Sequence, residues 1–328
     1  LQKKLVPEAT PEFEALYPGS LRPPRALGYP YFVKPVKGTM SIRAQMVHTP
    51  QDLRRALTFS VRERVRGWAL LRPFAQLLSA YFPQPVPAHA FIAEAPLRGQ
   101  QVTVDGFVQN GQVTVMGIVD SIMYPGTMSF QRFEYPSTLP PAVQERMSAI
   151  TTRLMSGAGL NHSCFNIELF YDPQSDAVSI IEINPRMAGQ FSDLYERVDG
   201  KSLWSLELDL ALGKTPLFPH REGKFGSAAS FVFREFGDEV KQAPPVEQQG
   251  WLVATYPDAR LFLDIKHSTS RARETKWLGN YRYALVHMGG CDHTDMMARF
   301  RSVCEHLHFD VLPNGAKPSL WQRLRRSF

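Results

Sequence analysis

The chain has 328 residues, enough for a sizeable core and roughly two or three subdomains. Its hydrophobic and charged fractions, 44% and 21%, are ordinary for a globular protein, and no apolar run is long enough to span a membrane. A net charge of +6 is too diffuse to argue for DNA or RNA, and Cys164, Cys291 and Cys304 show neither paired nor zinc-type spacing, which points to a reducing, cytoplasmic setting.

The start, LQKKLVPEATPEF, has no signal-peptide apolar core and no methionine, as expected of a fragment of a longer polypeptide. Residues 1–29 are proline-rich, with a linker's composition. Tyr31–Pro35 predicts a strand carrying Lys34 at its end, followed by a small-residue loop with Lys37, Gly38, Thr39 and Ser41. An ammonium, backbone N–H groups and hydroxyls in that order can hold phosphate. The loop lacks the G-x-x-x-x-G-K-[ST] pattern, however, and a strand-end lysine is also a common surface residue.

Thr49-Pro50-Gln51-Asp52 opens a helix with a capping hydroxyl, a first-turn proline and an acid. Residues 60–88 carry a helical pattern and then a proline-rich exit. Ala90–Glu94 predicts a strand, and Val102–Val108 with Val113–Val119 a hairpin across Asn110-Gly111. Residues 140–156 form an amphipathic helix ended by Gly157 and Gly159. Farther on come a helix from Ser202 to Leu212 stopped by Gly213, strands at Ser227–Arg234, Trp251–Thr255 and Arg282–His287, and a last helix from Thr294 turning Met297, Phe300, Cys304 and Leu307 inward. Mixed strands and helices without βαβ alternation give an α+β class.

The most informative stretch is Phe165–Arg186, two alternating runs around Asp172-Pro173-Gln174-Ser175-Asp176, a hairpin signature. Folded about Ser175, it puts Asn166, Glu168, Glu182 and Asn184 on one face, and Ile167, Leu169, Ile181 and Ile183 on a core face. Facing glutamates repel unless a cation lies between them, and such hard oxygen ligands suit Mg²⁺ beside nucleotide phosphates. An ordinary hairpin with one solvated polar face fits the same pattern, and a one-residue slip would separate the glutamates.

Glu168, followed fourteen residues later by Glu182-Ile183-Asn184-Pro185-Arg186, resembles the metal-binding end of the ATP-grasp superfamily, of the carboxylate–amine ligase type. It is similar there to D-alanine–D-alanine ligase, biotin carboxylase and dipeptide ligases. The resemblance implies Glu168, Glu182 and Asn184 as metal ligands and Arg186 as a catalytic residue, with Asn166 standing where relatives often carry histidine or arginine. It also implies Lys34 as a phosphate-binding and catalytic lysine, with Lys37, Gly38, Thr39 and Ser41 in a lid. Glu94 and the backbone at Ala95 and Leu97 fall where the family reads adenine. Gln101 falls where relatives place a glutamate on the ribose, a departure an amide can still serve by hydrogen bonding.

The expected fold is therefore α+β of the ATP-grasp type, two subdomains gripping ATP. Residues 1–29 are expected as a linker, 30–93 as lid subdomain, 94–215 as catalytic subdomain and 216–328 as a small C-terminal α+β subdomain, with the relatives' N-terminal α/β domain absent. The implied function is ATP-dependent joining of a small-molecule carboxylate and an amine through an acyl phosphate, with release of ADP. The implied cofactors are ATP and one or two Mg²⁺, for which Mn²⁺ can substitute. Two alternatives stay open: a biotin-carboxylase-like bicarbonate-activating enzyme, and an ATP-binding module without turnover. Met123–Phe133, with Arg132 offered to a carboxylate, and Met187–Asp193 are candidate pocket borders, and a homodimer contact is a further possibility for the C-terminal part. His287, His293, His306 and His308 share no metal-ligand spacing and read as surface or core histidines.

Overall fold

A computed structural model describes residues 1–17, 22–37, 43–81, 90–237, 239–265, 275 and 279–312. The chain divides into two compact units, Leu1–Gly99 with Leu169–Ile181, and Gln100–Glu168 with Glu182–Phe328.

The first unit contains a four-stranded antiparallel sheet of β1 (Phe13–Leu16), β2 (Tyr31–Pro35), β3 (Gln45–Val47) and β4 (Phe91–Glu94), in the order β1-β4-β2-β3. Strand alternation decides its chemistry. Tyr31, Val33, Phe91 and Ala93 point to one face and are buried under Leu53, Ala56 and Leu57 of helix α2 (Pro50–Leu57). Lys34 and Glu94 are thereby sent to the opposite face, each half-buried. Helix α2 begins as its sequence predicts: the Thr49 hydroxyl accepts from the Asp52 amide while Asp52 accepts from the Thr49 amide, a closed capping box. The Thr49 hydroxyl is also the main group that draws the Asp52 carboxyl below its ordinary range. A short helix α1 (Gln2–Leu5) precedes β1, and helix α3 (Val61–Tyr81) follows α2. Phe13–Leu16, in a stretch whose composition suggests irregular chain, is a strand because its backbone has an edge of β4 to pair with.

In the second unit β5 (Gln100–Gln109) and β6 (Gln112–Met123) form the expected hairpin, with Asn110 and Gly111 both at positive φ, the twist a two-residue turn needs. Together with β7 (Phe130–Tyr135), β8 (Ser163–Asp172) and β9 (Ala177–Asn184), whose residues 169–181 are counted in the first unit, and β10 (Ser227–Glu235), β12 (Arg260–Leu263) and β13 (Tyr281–Gly290), they make an eight-stranded sheet ordered β12-β13-β10-β7-β6-β5-β8-β9. One core joins Val119, Phe133 and Cys164 to Leu194 and Tyr195 of α5 (Ser192–Asp199) and to Leu203, Leu206 and Leu210 of α6 (Leu203–Ala211). Another packs Phe231, Val286 and Met288 on Leu252 of α7 (Val246–Thr255) and on Met296 and Val303 of α8 (His293–His306). Helix α4 (Pro141–Ala158) ends at left-handed Gly159, as expected, with Gly157 inside the helix. Two residues each of β11 (Val240–Lys241) and β14 (Val311–Leu312) form a separate ribbon. Among the described residues no helix is long and apolar enough to cross a membrane.

Three local expectations are corrected. Trp251–Thr255 is not a strand but the end of α7: a short apolar run is compatible with either period, and Pro245 as N-cap with Glu247 in the first turn sets the helical one. Cys304 is exposed rather than inward, because the buried line of α8 runs through Met296 and Val303 to Leu307. Ile167 and Leu169 are fully buried, but on β9 the buried apolar side chains are Val178 and Ile180, while Ile181 and Ile183 are only half-buried, so the core-facing phase of this strand is one residue away from the expected one.

Gly99, between β4 and β5, is held at φ +96°, and a Cβ there would run into the Tyr171 backbone carbonyl. Gly99→Ala should therefore destabilise by about 3 kcal/mol, through left-handed strain plus overpacking. The loss is read as a lower denaturant midpoint at unchanged slope.

Candidate active site

The hairpin of β8 and β9 turns through the predicted residues. The Asp172 carboxylate accepts from the Gln174 amide at 2.9 Å and from the Ser175 hydroxyl at 2.8 Å, and Asp176 takes the positive φ. In the second unit, Glu168 near the middle of β8 is half-buried, Glu182 on β9 is exposed, and Asn184 at the end of β9 is buried. The Arg186 guanidinium is exposed and donates to the Asn184 side-chain oxygen at 3.3 Å and to the Met187 carbonyl at 3.1 Å.

Two further residues complete this part of the site. Gln101, 6% exposed, donates its amide to Glu168 Oε2 at 2.9 Å. Its side chain is thus turned onto the carboxylate that heads the proposed metal set. Asn166, buried, donates to Asp105 Oδ1 at 2.8 Å, and the Tyr195 hydroxyl donates to Asp105 Oδ2 at 3.0 Å. Burial raises the Asp105 carboxyl to about 7; the hydrogen bonds from Asn166 and Tyr195 pull it down, nearby Glu168 pushes it up, and Arg186 lowers it. Burial likewise lifts the Tyr195 phenol far above its ordinary range, with charged Asp105 adding to the shift. Asp105 was missed by motif reading. Its signal was an acid set among valines in a strand, where aspartate is depleted.

In the first unit, Lys34 Nζ forms an ion pair with Glu94 Oε2 at 2.7 Å and donates to the Ile181 carbonyl at 2.9 Å. The register explains the pair. Phe32 faces Glu94 and Lys34 faces Ile92 across the antiparallel β2–β4 ladder, so lysine and glutamate are diagonal neighbours on one face. The Ala95 amide donates to the Glu12 carbonyl, which leaves only its carbonyl for other partners. Leu97 lines a shallow surface cleft with Arg98, Phe170 and Ser179. Lys37 Nζ lies 5.7 Å from the Phe74 ring centroid. Gly38, Thr39 and Ser41 lie outside the described residues.

Other candidates resolve into the protein's own contacts. Arg132 pairs with Glu134 at 2.5 Å and bonds Gln131 at 2.7 Å, and Phe130–Tyr135 is a strand rather than an open pocket loop. His287 is buried with Nδ1 2.8 Å from Asp193 Oδ2, a core histidine.

Glu168, Glu182 and Asn184 offer two carboxylates and an amide oxygen. That all-oxygen donor set fits a magnesium ion, which keeps waters and binds through one or two carboxylates plus phosphate oxygens. Among the described residues no cluster of three or more histidine, cysteine or acidic side chains forms a closed metal cage. An ion here would accordingly complete its coordination with water or substrate oxygens.

Residues 27–193 match the family model described as an ATP-grasp domain. The C-terminal section of the carbamoyl phosphate synthase large chain of Methanopyrus kandleri is 26% identical over 164 residues, 49% of this chain and 26% of that protein. The chain thus spans about a quarter of the length of that curated relative. Among solved structures, L-amino acid ligase from Bacillus licheniformis superposes with a TM-score of 0.66 at 15% identity, covering 95% of this chain and 71% of that one. Biotin carboxylase from Campylobacter jejuni, in its β-γ-ATP complex, gives 0.61 at 13% identity over 94% of this chain and 66% of that one. At such identities the likeness is one of fold.

Because the folded Asp105 carboxyl lies near 7, above its unfolded value, its stabilising contribution is fully present below about pH 4 and is lost as pH rises through about 7. Asp105→Asn abolishes that loss. Urea titrations stepped from about pH 4 to about pH 8 should show the variant gaining stability relative to the parent with rising pH, by up to about 4 kcal/mol.

Proposed function

The chain belongs to the ATP-grasp domain family, whose members are ATP-dependent ligases and carboxylases, and from that premise we propose that it is an ADP-forming ligase joining a small-molecule carboxylate to an amine. The observation that supports the reading is the presence of all four residues on successive strands, Glu168 on β8, Glu182 and Asn184 on β9 and Arg186 just after it, with Glu168 hydrogen-bonded by Gln101 and Asn184 by Arg186. A site without turnover has no chemical need for all four.

Transfer of a phosphoryl group to a carboxylate demands charge neutralisation and alignment more than covalent help. Mg²⁺, held by Glu168, Glu182 and Asn184, would supply the neutralisation. Gln101 keeps Glu168 in one rotamer by its hydrogen bond, and Asp105 fixes Asn166 two residues away on the same strand. Lys34, already gathered by Glu94, is proposed to hold the nucleotide phosphates. The exposed Arg186 guanidinium is proposed to hold the substrate carboxylate and then the acyl phosphate, whose planar oxygen pair its fork matches. Glu94, with the Ala95 carbonyl and the Leu97 backbone, is proposed to contact the adenine, and Lys37 the phosphates. Residues 30–93, 94–215 and 216–328 remain the proposed lid, catalytic and C-terminal parts.

The fold likeness to biotin carboxylase favours one second reading, activation of bicarbonate in place of an organic acid. ADP formation from Mg-ATP separates the two. The chain, with any flanking region its gene encodes, is assayed with acid–amine pairs and with bicarbonate alone. Release that requires both an acid and an amine, and falls at least about a hundredfold in Glu182→Gln, supports the ligase. Release with bicarbonate alone moves the assignment to the carboxylase reading, and Mg-ATP binding without any release overturns both. Independently, Gln101→Met should weaken Mn²⁺ binding in the presence of ADP by about tenfold in calorimetric titration, since it removes the partner that orients a ligating carboxylate.

A further inference from the structure

Helix α6 begins at a point tied to α5. The Ser202 hydroxyl caps the Trp204 amide at 3.2 Å and lies 3.1 Å from the Ser192 hydroxyl, which itself accepts from the Leu203 amide at 3.1 Å. The helix's buried line is filled by Leu203, Leu206 and Leu210, none more than 2% exposed. Trp204 stands outside that line and is 58% exposed, although a buried indole would stabilise the fold far more than an open one.

The indole is nonetheless not loose on the surface. Its six-membered ring lies against Gly189: a Cβ built on that glycine would sit 3.1 Å from Cζ2 and 3.4 Å from Cη2. Gly189 is three residues after Arg186, whose guanidinium bonds the Met187 carbonyl of the same short segment. Gln190 anchors the segment's far end to the buried Ser230 hydroxyl at 2.9 Å. The loop following the arginine is therefore pinned at both ends and touched by the indole in its middle. Leu208, one turn along α6 and 63% exposed, extends the same apolar strip away from the loop.

We propose that Trp204 is a specificity-determining residue whose indole forms an apolar wall beside the Arg186 loop and takes a large aromatic or branched aliphatic side chain of the substrate. The proposal rests on the ligase reading for its chemistry, with Arg186 meeting the substrate's carboxylate end and the indole meeting its side chain. Gly189 sets the depth of this wall, since any side chain there would push the ring outward.

The test uses the full chain and the variants Trp204→Ala, Trp204→Phe and Gly189→Ala, with ADP release measured for alanine, leucine and phenylalanine as substrates. In Trp204→Ala the ratio of kcat/KM for phenylalanine over alanine is expected to fall about tenfold, the scale of discrimination by an apolar pocket. Trp204→Phe should recover most of it, and Gly189→Ala should shift the ratio with Trp204 still present. The KM for Mg-ATP tracks neither change. An equal loss for all three amino acids, or an altered sedimentation coefficient with an unchanged ratio, overturns the proposal and marks the strip as structural or as a contact with another protein. A binding arm keeps this separate from the ligase reading: intrinsic fluorescence of the parent, minus that of Trp204→Phe, is titrated with phenylalanine. A saturable difference without turnover sinks the ligase reading and leaves the site standing; no saturable difference together with an unchanged ratio sinks the site.

Discussion

Asp105 is the constraint on which the second unit depends. One carboxyl, 1% exposed, takes a hydrogen bond from Asn166 on β8 and another from Tyr195 on α5, and so joins a central strand, its neighbour and the covering helix. A buried acid is costly unless its oxygens are satisfied, and here each oxygen has a named donor. The cost is visible in the elevated proton affinity of the group, which burial dominates. What is obtained is a fixed Asn166, and with it a fixed course for the strand that carries Glu168.

The other polar contacts follow a similar logic. Gln101 spends its amide on Glu168, so a carboxylate that would otherwise sample several rotamers is directed. Lys34 is gripped by Glu94 and by the Ile181 carbonyl, so an ammonium on a long flexible stem is already ordered. Ordering such side chains in advance reduces the entropy that ligand binding must overcome. Glu182 and Arg186 are the exposed members of the set, and exposure suits groups whose partners are expected from solution rather than from the protein.

Much of the fold was legible because it is written in short-range rules. The Thr49 cap, the Asn110-Gly111 turn, the Gly159 stop and the alternation of β2, β4 and β8 all depend on neighbours within a few residues. Where the reading failed, the deciding partner was distant in sequence. Phe13–Leu16 is a strand because β4 offers it an edge. Cys304 faces outward because the sheet beneath α8 buries Val303 in its place, while Met297, Phe300 and Leu307 of the expected line do pack on this core.

The sequence by itself determined which residues belong to the candidate site. Glu168, Glu182, Asn184 and Arg186 are picked out as candidates by a hairpin pattern and by a resemblance to the ATP-grasp family, whose domain model matches residues 27–193. Only the tertiary structure decided how those residues are held. The partners Gln101–Glu168, Asp105–Asn166, Tyr195–Asp105 and Lys34–Ile181 are separated by 67, 61, 90 and 147 positions. Likewise, only packing placed Trp204 against Gly189. The physical reason is that backbone periodicity is local and can be read from adjacent residues, whereas a hydrogen bond or a ring contact needs two side chains brought together by the whole core.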